Sequence, residues 1–404
     1  AAGVQCEPVT VRVVSSLLMT SYTPERLVEH QAALGDPYPK EFPYKSKALL
    51  AFQKIDGLDV CLFALYAQEY GDDCPEPNRN RVYLSYLDSV RYFESDPPGH
   101  RSTLYYSILT AYLQWVRELG FRHVHIWVEP PKTGDEYIFF ARSDQQRKPM
   151  KREKLRDWYR KMLDIAKAKG VVESYGSMHD LFGSIKSVRQ IPLFHGDQWE
   201  ITVPSLLGIG QEDARLPLTK KLDPAKLVRM DSKDVVQKAQ QEMQHLKRHF
   251  LVVTFRALDE PPKKDEDPVI STDLTDSRQT FLGPRPTSPL PIPPPPNPAA
   301  PSARADTPRP PAPLLRGAGQ CQIAHWQFST LRHAQHSTRM ILNHIHNKPS
   351  YCIPECSRGR VEDGSFMVCC DVCENWFHGS CVNISKDEAN LLENYQCPTC
   401  ARAS

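Results

Sequence analysis

Short blocks of apolar and β-branched residues at 9–14, 48–52, 60–66, 82–86 and 123–128 each have the length of a strand, bounded by polar or turn-forming residues. Elsewhere the spacing changes. Across 102–118 apolar side chains recur every three or four positions, and the same rhythm returns at 152–169 and 232–249, which predicts helices with one buried stripe. The run Phe-Leu-Val-Val-Thr-Phe at 250–255 reads as a further buried strand. Strands mixed with long helices predict an α/β domain.

That pattern breaks at 284–313, where fourteen prolines remove backbone donors and leave few apolar side chains for a core. An extended insertion is expected there, either a docking site for proline-recognising domains or a spacer. Helical spacing returns at 326–346. The expected organisation is an α/β domain at 1–283, the proline-rich insertion at 284–320, a closing helix of the first domain at 321–348 and a small cysteine-rich module at 349–404.

Composition narrows the function. With 404 residues and 40% hydrophobic content, the chain can bury a sizeable core. Its 50 Lys and Arg against 48 Asp and Glu leave a net charge of +2, so no global field points to nucleic acid or a membrane surface. Sequence-specific DNA binding would need a concentrated basic element. The stretch 147–161 holds eight basic residues against two acidic ones, but its spacing is that of a solvated helix face. No apolar run approaches the roughly 18–20 residues of a membrane span, and 1–10 lacks the features of a signal peptide, so an intracellular protein is expected. The chain starts with Ala-Ala rather than Met, and a longer parent is expected.

Eight of the twelve cysteines fall between Cys352 and Cys400, which favours metal over disulfides. Cys352, Cys356, Cys370, Cys373, His378, Cys381, Cys397 and Cys400 form four pairs, enough for two tetrahedral zinc sites. So short a segment folds only if coordination supplies the missing free energy. The order of four cysteines, one histidine and three cysteines, with Trp376-Phe377 before the histidine, resembles a PHD finger; a RING domain places its histidine earlier. The resemblance implies an aromatic cage for a methylated histone tail, with Tyr351, Met367 and Trp376 as its walls. The bland alternative is that Trp376 and Tyr351 simply pack.

Several strings in the larger domain agree in order and spacing with one family. Phe42-Pro-Tyr-Lys-Ser-Lys-Ala-Leu, Gln68-Glu-Tyr-Gly-Asp-Asp-Cys-Pro, Val82-Tyr-Leu-Ser-Tyr-Leu-Asp-Ser-Val, His125-Ile-Trp-Val-Glu-Pro-Pro and Trp158-Tyr-Arg-Lys-Met-Leu-Asp together resemble the acetyltransferase domain of the CREB-binding protein family. The resemblance implies a central mixed sheet wrapped by helices and a nuclear histone lysine acetyltransferase. It further implies acetyl-CoA as cofactor, histones and other nuclear proteins as substrates, and transcription factors as partners.

Site residues follow from the same resemblance. Tyr159 matches the general acid, a phenol that stays protonated at neutral pH and gives its proton to the departing thiolate. Trp127 matches the residue shaping the lysine tunnel. Trp158, Lys154, Arg101, Ser102 and the segment Ser85, Leu87, Asp88 and Ser89 match cofactor contacts, the arginine and a helix N-terminus making an anion site. Tyr86, Ser46 and Asp276 fall on the substrate side. His195 and Gln279 stand where better-known members carry acids, and the segment 208–233 is short and poor in lysine, unlike the autoinhibitory loop of animal members. The competing expectation is a catalytically silent scaffold with a vestigial acetyltransferase fold.

Overall fold

The computed structural model describes residues 5–131, 137–139, 150–197, 236–241, 244, 250–272, 274–278, 281, 328, 330–346, 352, 353, 356, 365–370, 372, 376–392 and 394–403. The chain divides into two compact units, Ala1–Phe281 with Gln327–Gln335, and Leu282–Trp326 with His336–Ser404.

In the first unit a seven-stranded sheet is built from β1 (Val9–Tyr22), β2 (Glu41–Ile55), β3 (Leu58–Tyr70), β4 (Arg81–Ser89), β5 (His123–Trp127), β6 (Val172–Ser177) and β7 (Phe250–Phe255). Their spatial order is β1-β2-β3-β4-β5-β7-β6. Only β4 and β5 run parallel; the other neighbours are antiparallel. The long hairpin β2–β3 turns on Asp56-Gly57, both at positive φ (51° and 79°), where glycine is at ease and aspartate is tolerated. β3 is buried almost throughout because both faces of the sheet are covered, while β1, at the edge, exposes Leu18 and Tyr22.

Helix α1 (Glu25–Ala33) follows β1, α2 (Arg101–Glu118) crosses from β4 to β5, and α3 (Arg152–Ala168) and α4 (Met178–Phe182) flank β6. One face of the sheet sends Tyr44, Tyr70, Tyr83 and Phe250 into a core with Leu27 of α1, Met178 of α4 and Phe194. The other face carries α2 and α3, which pack together. α3 buries Tyr159, Met162, Leu163 and Ala166, one stripe at helical spacing. On this face Lys47 is only 1% exposed and meets Glu69 at 3.3 Å, Asp265 at 3.2 Å and Asp267 at 2.8 Å. Tyr112 of α2 donates to Glu69 at 2.8 Å, so a buried ion network ties β2, β3, α2 and the segment after β7 into one piece.

All six predicted strands are present, four of them longer than expected: β1 continues eight residues past 14 and β2 starts seven before 48. The helices expected at 102–118 and 152–169 are α2 and α3. Of the expected helix at 232–249, residues 236–241 and 244 are helical and the rest lies outside the described residues. The helix expected at 326–346 is α5 (Leu331–Ile345). Its start belongs to the first unit, where Gln335 donates to the Ile55 carbonyl at 2.9 Å and Tyr92 to the Phe328 carbonyl at 2.7 Å. The proline-rich tract lies outside the described residues. Among the described residues no helix is long and apolar enough to cross a membrane.

The second unit contains the hairpin β8 (Met367–Cys369) and β9 (Trp376–His378), then α6 (Lys386–Leu391) and α7 (Pro398–Ala403). Its small core consists of Met367, Val368, Phe377 and Tyr395 among buried cysteines. Ser385 caps α6, accepting from Glu388 N while the Glu388 carboxylate accepts from Ser385 N.

Candidate active site and metal centre

A fault in the sheet opens the site. β3 and β4 stay paired to Phe63↔Ser89, but the register jumps from Ala67↔Leu84 to Tyr66↔Tyr86, so Ser85 is the extra residue of a β-bulge. On its other side β4 pairs with β5 only as far as Leu84↔Ile126. Beyond that pair the two parallel strands part: β5 continues to Trp127 on Phe250 of β7, while β4 runs on to Ser89 with β3 as its strand partner among the described residues. Ser85, Tyr86, Leu87 and Ser89 are partly exposed along this splay. The Ser85 hydroxyl is buried and has no hydrogen-bond partner among the described residues.

The far end of β4 is tied to a second segment. The Asp88 carboxylate accepts from the backbone N–H of Ile138 at 2.9 Å and Phe139 at 3.1 Å with one oxygen, and from Ser89 N at 2.8 Å with the other. Tyr137 then meets the Tyr86 ring edge-on at 5.4 Å. The Arg278 guanidinium lies 4.9 Å from the Tyr86 ring and 5.5 Å from that of Tyr137, and its Nε donates to the Tyr137 carbonyl.

Helices complete the arrangement. Arg101 and Ser102 begin α2, which has no side-chain N-cap, so its first N–H groups remain available to an anion. Arg101 is partly exposed and makes no ion pair among the described residues. Trp158 Nε1 donates to Ser102 Oγ at 3.3 Å, its ring lies 5.0 Å from Tyr106, and Lys154 stands exposed one turn earlier on α3. Tyr159 packs edge-on against Trp158 at 5.1 Å and is 6% exposed. Burial, with Tyr137 nearby, raises its phenol far above the ordinary tyrosine value, so the group is a proton donor at any physiological pH. Its hydroxyl has no hydrogen-bond partner among the described residues. Trp127 packs edge-on against Phe250 at 5.4 Å at the end of β5.

In the second unit Cys352, Cys356, His378 and Cys381 bring their ligand atoms within 4.8 Å of one another, and Cys370, Cys397 and Cys400 form a separate group. The first and third pairs of the sequence thus combine, as do the second and fourth. Three thiols and an imidazole at this spacing fit a tetrahedral zinc ion. Cys373 lies outside the described residues. A Cβ on Gly379 would stand 2.5 Å from the Ile384 carbonyl, so only glycine fits beside His378.

Residues 3–250 match the family model described as histone acetyltransferase domain KAT3. The chain belongs to this family. Residues 354–400 match the PHD-finger model, so the KAT3 domain is followed by a zinc-binding PHD finger. The chain is 31% identical to histone acetyltransferase HAC12 of Arabidopsis thaliana over 91% of its length and 24% of that protein's. It is also 31% identical to the probable histone acetyltransferase HAC-like 3 of Oryza sativa subsp. japonica, over 96% of this chain and 34% of the relative. To protein cbp-1 of Caenorhabditis elegans it is 29% identical over 81% of this chain and 17% of the relative. It therefore spans about a quarter of the length of the plant relative HAC12.

The KAT3 domain brings Ser85, Tyr86, Leu87, Asp88 and Ser89 to one strand end, and joins Ser102, Trp158 and Tyr159 through the contact between α2 and α3. Other expected residues sit elsewhere. Ser46 is half-buried on β2, in the row of Gln68 and Tyr83, with β3 between it and β4. The Asp276 carboxylate is occupied: it accepts from Ser15 Oγ at 2.8 Å, Thr272 N at 2.9 Å and Ser271 Oγ at 2.5 Å. His195 is exposed, its backbone held by Tyr70 and Gln68. In the finger, Met367 is only 4% exposed and packs inward, whereas Trp376 is partly exposed; Tyr351 and Gln279 lie outside the described residues. Sequence reasoning missed Arg278 and Tyr137, which come from segments without periodicity.

Proposed function

We propose that the chain transfers an acetyl group from acetyl-CoA to lysine side chains of histones and other nuclear proteins, with Tyr159 as general acid. The thioester, when bound, supplies an activated acetyl carbon. Tyr159 carries the reading: a buried phenol, held protonated and free of any described protein partner, stands where α2 and α3 meet beside Tyr137. It donates its proton to the departing sulfur, the standard requirement of thioester aminolysis. Along the splay, Ser85, Leu87 and Ser89 line the pantetheine path, while Asp88 acts indirectly by clamping 138–139 to β4. Arg101, Ser102 and Lys154, with Trp158 alongside, hold the cofactor phosphates at a helix start where the dipole favours anions. Trp127 and Tyr86 form the walls of the lysine tunnel, with Ser46 and Asp276 further out along the substrate side.

The finger is proposed to hold two zinc ions, Cys373 completing the second site, and to read a histone tail through Trp376, with Tyr351 and Met367 as further cage candidates. Nuclear residence and recruitment by transcription factors follow from this reading. So does the assignment of 1–283 and 321–348 to the catalytic domain, 284–320 to an insertion and 349–404 to the finger. Incubating the purified chain with acetyl-CoA and core histones, followed by mass spectrometry of the lysines, tests the activity. Acetylated histone lysines are expected; a chain that binds acetyl-CoA yet modifies nothing is the silent scaffold instead.

A further inference from the structure

At the end of β4 away from Ser85, roughly 13 Å along the strand, a cavity of about 570 Å³ opens on the face of the sheet opposite α2 and α3. Arg81 and His125 line it. Arg81 Nε donates to the Pro77 carbonyl at 2.7 Å and Nη1 to His125 Nε2 at 3.1 Å. A guanidinium only donates, so His125 accepts at Nε2. Burial and the adjacent Arg81 hold that imidazole neutral, which puts its proton on Nδ1, a buried atom with no hydrogen-bond partner among the described residues. The remaining Arg81 N–H groups have no acceptor, and no carboxylate lies within ion-pair distance of them, among the described residues. The charge of Glu76 reaches Arg81 from beyond ion-pair distance, so this largely buried cation is only partly compensated, and it borders an open cavity of the size that takes small ligands.

The rest of the lining says what kind of ligand fits. Lys186 and Arg189 are exposed on the cavity wall and make no ion pair among the described residues. Glu76 and Asp36 oppose them, the latter accepting from the Ser187 hydroxyl. With Glu76 acting on the guanidinium and Asp36 also on the lining, the cavity disfavours a dianion but leaves room for a single negative charge. Leu181, Ile185 and Met178 supply an apolar wall. We infer that this cavity is a second ligand site, taking a small organic monocarboxylate whose head lies on the Arg81 fork and whose apolar body lies on Leu181 and Ile185.

Isothermal titration of the full chain with hexanoate, hexanamide and inorganic phosphate tests this. Hexanoate is expected to bind at least tenfold more tightly than either of the others. Leu181→Trp, which fills the cavity from its apolar side, is expected to remove hexanoate binding while circular dichroism stays native, and Arg81→Gln to do the same. Equal binding of hexanamide, tighter binding of phosphate, or undiminished hexanoate binding by a folded Leu181→Trp chain overturns the proposal. Because the readout is binding, its failure is separate from any failure of acetyl transfer.

Discussion

At the scale of single residues, the site depends on groups whose protonation or bonding is fixed by burial. Asp88 is one: three backbone donors converge on its carboxylate, and removing the acceptor leaves those of Ile138 and Phe139 buried and unpaired. Asp88→Ala is therefore expected to lower stability by about 1–3 kcal/mol. It should also raise KM for acetyl-CoA, both measurable by urea unfolding and steady-state kinetics. His123 is another. Burial, then Arg81 and Arg122, push its pKa down to about 4, against roughly 6.5 in the unfolded chain. The folded state thus refuses a proton that the unfolded state accepts, so stability is full above about pH 6.5 and falls as pH drops toward 4. His123→Gln should flatten that slope in urea midpoints taken across this window. Trp127, Trp158 and Tyr159 were legible because they sit in strings with distinctive order. Arg278 and Tyr137 were not, since a cation over two rings brings together positions 141 residues apart in sequence, and no local pattern marks either.

At the scale of elements, the decisive feature is the parting of β4 from β5 after Leu84, with the bulge at Ser85 re-aiming the strand. Blocks of apolar and β-branched residues predicted both strands but not the break, because a bulge inserts one residue without altering hydrophobicity. β6 and α4 escaped notice for a different reason: Val172–Ser177 and Met178–Phe182 are short, and their burial comes from partners distant in sequence. The Lys47 network was equally invisible, since a lysine between Ser46 and Ala48 gives no sign that Glu69, Asp265 and Asp267 surround it. Lys47→Met strands the Glu69 charge beneath α2, and a loss of about 3–5 kcal/mol is expected in denaturant unfolding. Adding Glu69→Leu should recover much of it, because the pair is then replaced by apolar groups.

At the scale of the whole molecule, two units rest on different physics: a large core around a mixed sheet, and a finger whose core of Met367, Val368, Phe377 and Tyr395 is too small to hold alone. Ligand order in the sequence disclosed the finger, while the pairing of first with third and second with fourth required the fold. A strong chelator is expected to unfold the finger and release two zinc ions per chain, read by a zinc-sensitive dye. Gly379→Ala should bring the same loss without chelator, since the added Cβ meets Phe366 and the Ile384 carbonyl. Acetyl transfer by the larger unit turns on the phenol of Tyr159 on α3. Its direct measurement is histone acetylation by Tyr159→Phe beside the parent chain, with acetyl-CoA affinity determined on both. In Tyr159→Phe kcat is expected to fall about 100-fold or more with affinity within threefold; an undiminished kcat would rule out Tyr159 as the general acid.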